Sequence, residues 1–308
     1  DIRIKEDKNK TSLGERILQN LHEVTLFFPS SCIQSCAACS SYYRQMNHCT
    51  TCHEDALKIE DYIHLLHQFQ VCGIQRVNLV AGGNPLQNRY TRNLSIDFTG
   101  STFKKHLYLE YNFLNNEYIE FAQQTNSILE ILVHSGDLNN QLAESMQKYQ
   151  HDMVRWNLIV SAETDLEQLD RLILPENILI QIRPFYNGSN YNFFHDFVFF
   201  DLQDILVEPI DRKTIFRHKV LNDNFFGKLT IFPSGEVFAN VNCSTIGNIQ
   251  KSSLKELVYK ELTELETWLK VRSKETPCKQ CINKDLCPSI SNYELVIGKN
   301  NLCNIQHR

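Results

Sequence analysis

EVTLFFPSSCIQSCAAC, residues 23–39, is a short apolar run that feeds directly into three closely spaced cysteines. Glu23–Phe28 has the β-branched and aromatic content of a strand. The loop behind it carries Cys32, Cys36 and Cys39 in the spacing C-x3-C-x2-C. Thiolates this close in one loop aim at a shared metal centre. Three of them hold three corners of a [4Fe–4S] cube and leave the fourth iron open for a substrate or cofactor. A zinc reading competes on the same residues. Cys36-x2-Cys39 and Cys49-x2-Cys52 form two knuckles of a four-cysteine zinc site, with Cys32 outside it. His48 and His53 flank the second pair, which is open to a small zinc or iron–sulfur site or to free thiols.

Outward from this loop the chain alternates between two periodicities. Ile59, Tyr62, Ile63, Leu66 and Phe69 recur at helical spacing, and Gly73 closes that helix. Arg76–Ala81 reads as a strand running into Gly82-Gly83. His106–Tyr111, Leu129–Val133, Arg155–Val160 and Ile178–Ile182 read as further strands, with helices over 138–149 and 165–172. Strands alternating with helices predict parallel βαβ units, about six here against the eight of a complete barrel. Residues 189–226 are rich in Phe and Asp without a clear period and read as a bridge. In that run Phe193, Phe194, Phe197, Phe199 and Phe200 read as core. Lys228–Phe232 and Glu236–Ala239 flank Pro233-Ser234-Gly235 as a β-hairpin. Ser252 or Ser253 then caps a long helix reaching about residue 272 and carrying Trp268.

The whole chain has 308 residues, 42% of them apolar and 22% charged, which suits a large globular domain plus a small one. A net charge of −5 gives no electrostatic footprint for nucleic acid. No apolar run is long enough to span a membrane, and no signal peptide opens the chain. The first residue is Asp1, which reads as a segment of a longer protein. Eleven cysteines, an odd number gathered in tight clusters, read as metal sites in a reducing cytoplasm and not as a disulfide frame. Cys72 reads as a small buried apolar residue. Neither a histidine zinc-hydrolase pattern nor a phosphate-binding P-loop is present.

Two further features complete the pattern. Gly82-Gly83-Asn84-Pro85 stands at the end of the second strand, where glycines let backbone come close to a neighbour. The tail carries Cys278-x2-Cys281-x5-Cys287, then Cys303, behind the hairpin, Ile246-Gly247-Asn248-Ile249 and Trp268. Four cysteines in a C-terminal knuckle also make a structural zinc site, and spacing leaves both readings open.

Taken in this order, the motifs resemble the radical S-adenosylmethionine (SAM) superfamily, and within it the peptide maturases that carry a SPASM/twitch domain. The resemblance implies an α/β fold: a partial (β/α)6 barrel with a small C-terminal cysteine-rich SPASM/twitch-like extension. It implies a lead-in over 1–22, a barrel over 23–188, the bridge over 189–226 and an auxiliary-cluster domain over 227–308. Cys32, Cys36 and Cys39 would hold a catalytic [4Fe–4S] cluster. Gly82, Gly83, Asn84 and Pro85 would bind SAM at its amino group, with Ser135 at the ribose and Arg183 a weaker candidate for the carboxylate. Cys278, Cys281, Cys287 and Cys303 match the ligands of one auxiliary [4Fe–4S] cluster. The next family cysteine falls at Ser291 and another near Asn240, with Cys243 nearby, so the second auxiliary cluster is incomplete.

The activity implied is reductive cleavage of SAM to modify a ribosomally made peptide, for example by a crosslink. Its partners would be the precursor peptide and a reductant such as flavodoxin or ferredoxin, with neither nucleic acid nor membrane. Two departures stand out: Ala38 replaces an aromatic residue that stacks near adenine, and Asn84 replaces a glutamate. They motivate an alternative, a non-catalytic relative that binds a peptide or a partner enzyme. A zinc-stabilised binding module is the third reading.

Overall fold

The computed structural model describes residues 17–30, 39–48, 57–207 and 210–305, with Cys39 and Ser40 by their backbone alone. The chain divides into two compact units. One comprises residues 23–193 with 232–234; the other takes residues up to 22, then 194–231 and 235 onward.

The first unit is built on six parallel strands: β1 (Glu23–Phe27), β2 (Arg76–Val80), β3 (Lys104–Glu110), β4 (Ser127–Val133), β5 (Val154–Val160) and β6 (Leu179–Pro184). Their order across the sheet is their order in the chain. Helices Ile59–Cys72, Arg89–Asp97, Asn116–Thr125, Asn140–Lys148 and Glu163–Arg171 fill the successive connections. The strands begin and end within two residues of the sequence expectation. Helices Arg89–Asp97 and Asn116–Thr125 were not singled out there, although each has its cap in view. Asn88 accepts from the backbone of Tyr90 and Thr91, and Asn115 from that of Tyr118. Such asparagine caps stabilise a helix by about 1 kcal/mol.

Side chains alternate between the two faces of the sheet. One face is the helix-covered core. Val24, Leu26, Leu79, Leu107, Leu129 and Leu158 are each no more than 1% exposed. Each such side chain contributes about 1.5–3 kcal/mol by leaving water. Lys105 is the charged exception. It is buried, and its Nζ donates to the Phe98 carbonyl at 2.6 Å.

The opposite face is layered. Toward the carboxyl end Phe27, Val80, Tyr108, Leu132, Ile159 and Phe185 form an apolar layer. Beneath it runs a buried polar network centred on Glu130 of β4. Its carboxylate meets His106 Nδ1 at 2.8 Å, accepts from Asn157 Nδ2 at 2.9 Å and from Arg76 at 3.2 Å, and pairs with Arg155 at 3.7 Å. Asn78 donates to Glu23 and Thr25, and Arg183 donates to Asn157, so the network reaches all six strands. Burial works to raise the Glu130 carboxyl, but the hydrogen bonds from His106 and Asn157 hold it below its ordinary value.

The second unit contains β7 (Lys228–Ile231), β8 (Glu236–Phe238) and β9 (Gly247–Asn248), paired antiparallel in turn. The hairpin expected over 228–239 is present. The long helix expected to about residue 272 is not. Helix Leu254–Lys260 starts on a Ser253–Glu256 capping box, passes into a wider turn over Glu261–Leu265 and stops at Glu266. Glu266 takes a left-handed conformation with φ 54. The break has a cause: the buried Glu261 carboxylate accepts the backbone N–H of Trp268 at 2.7 Å, which a continuing helix would have spent on its own carbonyls. Trp268 is fully buried and its indole N–H donates to the Lys228 carbonyl.

The stretch read as a featureless bridge holds three helices, Tyr191–Phe197, Leu202–Val207 and Arg212–Val220. Phe193, Phe194 and Phe199 are buried as expected of core, whereas Phe197 is 48% exposed. Cys72 is half-buried.

Candidate functional site

In a parallel sheet the groups that do chemistry gather beyond the carboxyl ends of the strands. Here those ends belong to Gly82-Gly83 after β2, Glu110 closing β3 and His134-Ser135 after β4. Cys32, Cys36, Cys49 and Cys52 lie outside the described residues, as does Ala38. Cys39 opens the helix Cys39–Gln45, which follows β1 in the chain. The glutamine that ends this helix is bound to the same edge: Gln45 donates to the Tyr186 carbonyl and accepts from its N–H, both at 2.8 Å, just beyond β6.

The glycine pair is explained by the protein itself. Gly82 has φ +67, a conformation that favours glycine. Gly83 is packed from above: a Cβ there would stand 2.8 Å from Glu110 Cγ and 3.2 Å from Phe113 Cε2. The Gly83 carbonyl accepts the Glu110 N–H at 2.9 Å. Pro85 and Leu86 are buried in a short turn. Asn84 is half-buried, and its amide oxygen accepts the Tyr118 hydroxyl. Ser135 is half-buried at the start of the turn Ser135–Asp137. Arg183 is engaged with Asn157 at 3.1 Å in the polar network.

Against Gly83 stands a constellation that reading the sequence missed. Glu110 is 2% exposed and His48 fully buried. His48 Nε2 lies 3.0 Å from Glu110 Oε1, and His134 Nε2 lies 2.9 Å from Oε2. The two imidazole Nε2 atoms are 3.5 Å apart. Tyr42 completes the wall. Its ring stacks on His48 and on Phe185, with centroids 4.5 and 4.1 Å apart, and its hydroxyl lies 3.3 Å from His134 Nδ1. Burial works to raise the Glu110 carboxyl, yet hydrogen bonds from His134 and His48 hold it at about 2. For His134, burial works to lower the imidazole, and the bond to Glu110 overcomes it and raises it. Glu110 is therefore an anion across the neutral range. The only local signal was position: each of the three residues sits in a loop or at a strand end, 62 and 24 residues apart in sequence.

The tail cysteines form a second donor set, in the other unit. Cys278, Cys281, Cys287 and Cys303 are all free thiols. Cys278 lies on the turn Cys278–Gln280, and Cys281 follows it with its N–H on the Cys278 carbonyl. Cys303 is placed by a bridge to Phe200. Burial pushes the Cys287 thiol up to about 11; the Arg272 charge opposes this, and Cys281, Cys278 and Cys303 add to it. The other three thiols therefore lie within electrostatic range of Cys287. Among the described residues no three of the four come within 4.8 Å of one another. A tetrahedral zinc site would hold its thiolates about 3.8 Å apart. Arg272 braces the array: its guanidinium bonds Glu294 at 2.7 Å, the Asn300 carbonyl at 3.3 Å and Cys278 Sγ at 3.8 Å. Cys243, half-buried, lines a separate cavity of about 430 Å³ with Thr267, Lys270 and Glu275.

No protein-family model matches the sequence, and no curated protein matches it. The fold is similar to that of SuiB from Streptococcus suis. The crystal structure of SuiB bound to S-adenosylmethionine superposes with a TM-score of 0.55 and 13% identity, covering 97% of this chain and 78% of that one. SuiB bound to the precursor peptide SuiA gives a TM-score of 0.57 and 14% identity, covering 97% of this chain and 79% of that one. At this identity the likeness is one of fold. No helix among the described residues is long and apolar enough to cross a membrane.

Proposed function

We propose that the chain is a radical SAM enzyme that modifies a ribosomally made peptide, on a partial (β/α)6 barrel with a twitch-like tail. One observation carries the reading. The Gly82–Pro85 segment and Ser135 occupy strand ends on the edge of the sheet that also receives the helix opened by Cys39. Similarity of fold to a protein crystallised with S-adenosylmethionine and with a precursor peptide supports the same reading.

Cys32, Cys36 and Cys39 would hold the catalytic [4Fe–4S] cluster. Cys278, Cys281, Cys287 and Cys303 would hold one auxiliary cluster, and their chemistry fits it: four free thiols, spaced more widely than a zinc site, beside a buried arginine. Bound there, the first cluster would supply one-electron reduction of SAM. The chain's own groups bind and orient. Gly82–Pro85 would present backbone to the cofactor, Ser135 a hydroxyl. The wall of half-buried Tyr42 stacked on buried Phe185 and His48 would keep water from the reacting atoms. The precursor peptide and a flavodoxin- or ferredoxin-type reductant are the partners this activity requires.

One observation favours a second reading. A glutamate at position 84 would offer a carboxylate to an ammonium group. Asn84 offers an amide oxygen already accepting from Tyr118, and its remaining amide hydrogens have the wrong polarity for that ligand. A non-catalytic relative that binds a peptide would show this. The two separate in one experiment: EPR of the anaerobic, iron- and sulfide-reconstituted, reduced protein with and without SAM. A cluster signal that changes on adding SAM, with deoxyadenosine released, supports the enzyme. A signal indifferent to SAM replaces it with the non-catalytic reading, and no cluster signal replaces both with a zinc-stabilised module.

A further inference from the structure

We infer that His48, Glu110 and His134 form a binding site for one divalent first-row metal ion. Three ligand residues from three separate segments converge: the loop after helix Cys39–Gln45, the last residue of β3 and the first residue beyond β4. Their spacings are 2.9 Å and 3.0 Å between each imidazole Nε2 and its carboxylate oxygen, and 3.5 Å between the two nitrogens. With bonds of about 2.1 Å, the two nitrogens 3.5 Å apart would subtend roughly 110° at one ion, near the tetrahedral angle, and the ligand atoms of all three residues lie within 4.8 Å of one another. Two histidines and one carboxylate are the donor set of Zn²⁺, Fe²⁺ and Mn²⁺ sites that keep a coordination position open for water or substrate.

The surroundings fit the same reading. Metal-bound imidazoles are oriented through their other ring nitrogen, and His134 Nδ1 meets the Tyr42 hydroxyl. His48 is held by its stack on Tyr42. Asp137 lies within electrostatic range of both Glu110 and His134, which adds negative potential at the site. Gly83 leaves Glu110 the room it occupies: any side chain there would push the carboxylate off its position. A buried charged carboxylate must be paired or bind a metal, and here its partners are themselves metal ligands.

The test is Mn²⁺ titration of the full chain, purified without oxygen or added iron, followed by the EPR signal of the free ion. Mn²⁺ prefers nitrogen and oxygen donors to thiolates, so the cysteines do not mask the result. We expect one saturable site, displaced by Zn²⁺, and at least tenfold weaker binding in His134→Asn and Glu110→Gln. Circular dichroism checks folding, and His134, at 23% side-chain exposure, is the safer substitution should the Glu110 variant unfold. Absence of a saturable Mn²⁺ site in the wild type would overturn the inference, as would undiminished binding in folded His134→Asn. The assay contains neither SAM nor cluster, so its failure and that of the proposed function are separable.

Discussion

Two buried carboxyls, one in each unit, are both pushed up by burial and end on opposite sides of the ordinary value. Glu110, at the strand edge, lies between two imidazoles and is held at about 2. Glu261, under Trp268, is fully buried and pushed up to about 7 by burial, with backbone and hydroxyl donors in place of a cation. The partner decides, because a cationic or charge-assisted donor repays desolvation where a neutral amide repays only part of it. The same contrast separates the two donor sets. The edge keeps its carboxylate charged in the absence of any ligand, whereas the tail keeps thiols such as Cys278 and Cys287 protonated by burial. A metal reaching the tail displaces protons; one reaching the edge finds its anion ready.

Breaking the tail's brace should have the largest effect. Arg272→Ala strands Glu294 as a buried anion, and we expect a loss of about 3–5 kcal/mol in urea denaturation. The double variant Arg272→Met, Glu294→Leu should recover most of it. If the single variant is near wild type, the ion pair does not hold the tail.

Glu261→Gln comes next, with a sign that depends on pH. The folded-state value of about 7 lies above the ordinary 4.5, so wild-type stability is lost as pH rises from about 4.5 to 7 and stays lost above. The glutamine variant should match the wild type near pH 4 and exceed it by about 2–3 kcal/mol at pH 8. Equal Tm values at both pH values would show that Glu261 titrates normally.

Gly83→Ala should have the smallest effect, about 1–2 kcal/mol, since Glu110 Cγ, 2.8 Å from the added Cβ, must shift to admit it. Its sharper readout is the Mn²⁺ affinity of the edge. A variant that is destabilised yet binds normally would uncouple Gly83 from that site.

The six strands were legible because a buried parallel sheet writes itself as apolar runs, as in Arg76–Val80 and Val154–Val160. What sequence could not supply was arrangement at a distance. The helical pattern from 253 onward stops at Glu266 because Glu261 takes the Trp268 N–H, a contact with no periodic signature. The tail cysteines could be grouped because Cys278, Cys281 and Cys287 are neighbours in sequence. His48, Glu110 and His134 could not, since only the register Glu110↔Leu132 brings β3 and β4 to the same height.

That register has a guardian in Glu130. An apolar strand can slide by two residues against its neighbour and still present an apolar face, so hydrophobicity alone tolerates misalignment. A carboxylate engaged by His106 of β3, Arg76 of β2 and Asn157 of β5 has no such freedom. Any slip would leave it charged, dry and alone. The network buried below the apolar layer thus acts as a keyway: it admits one alignment of the strands, and so levels the rim above it.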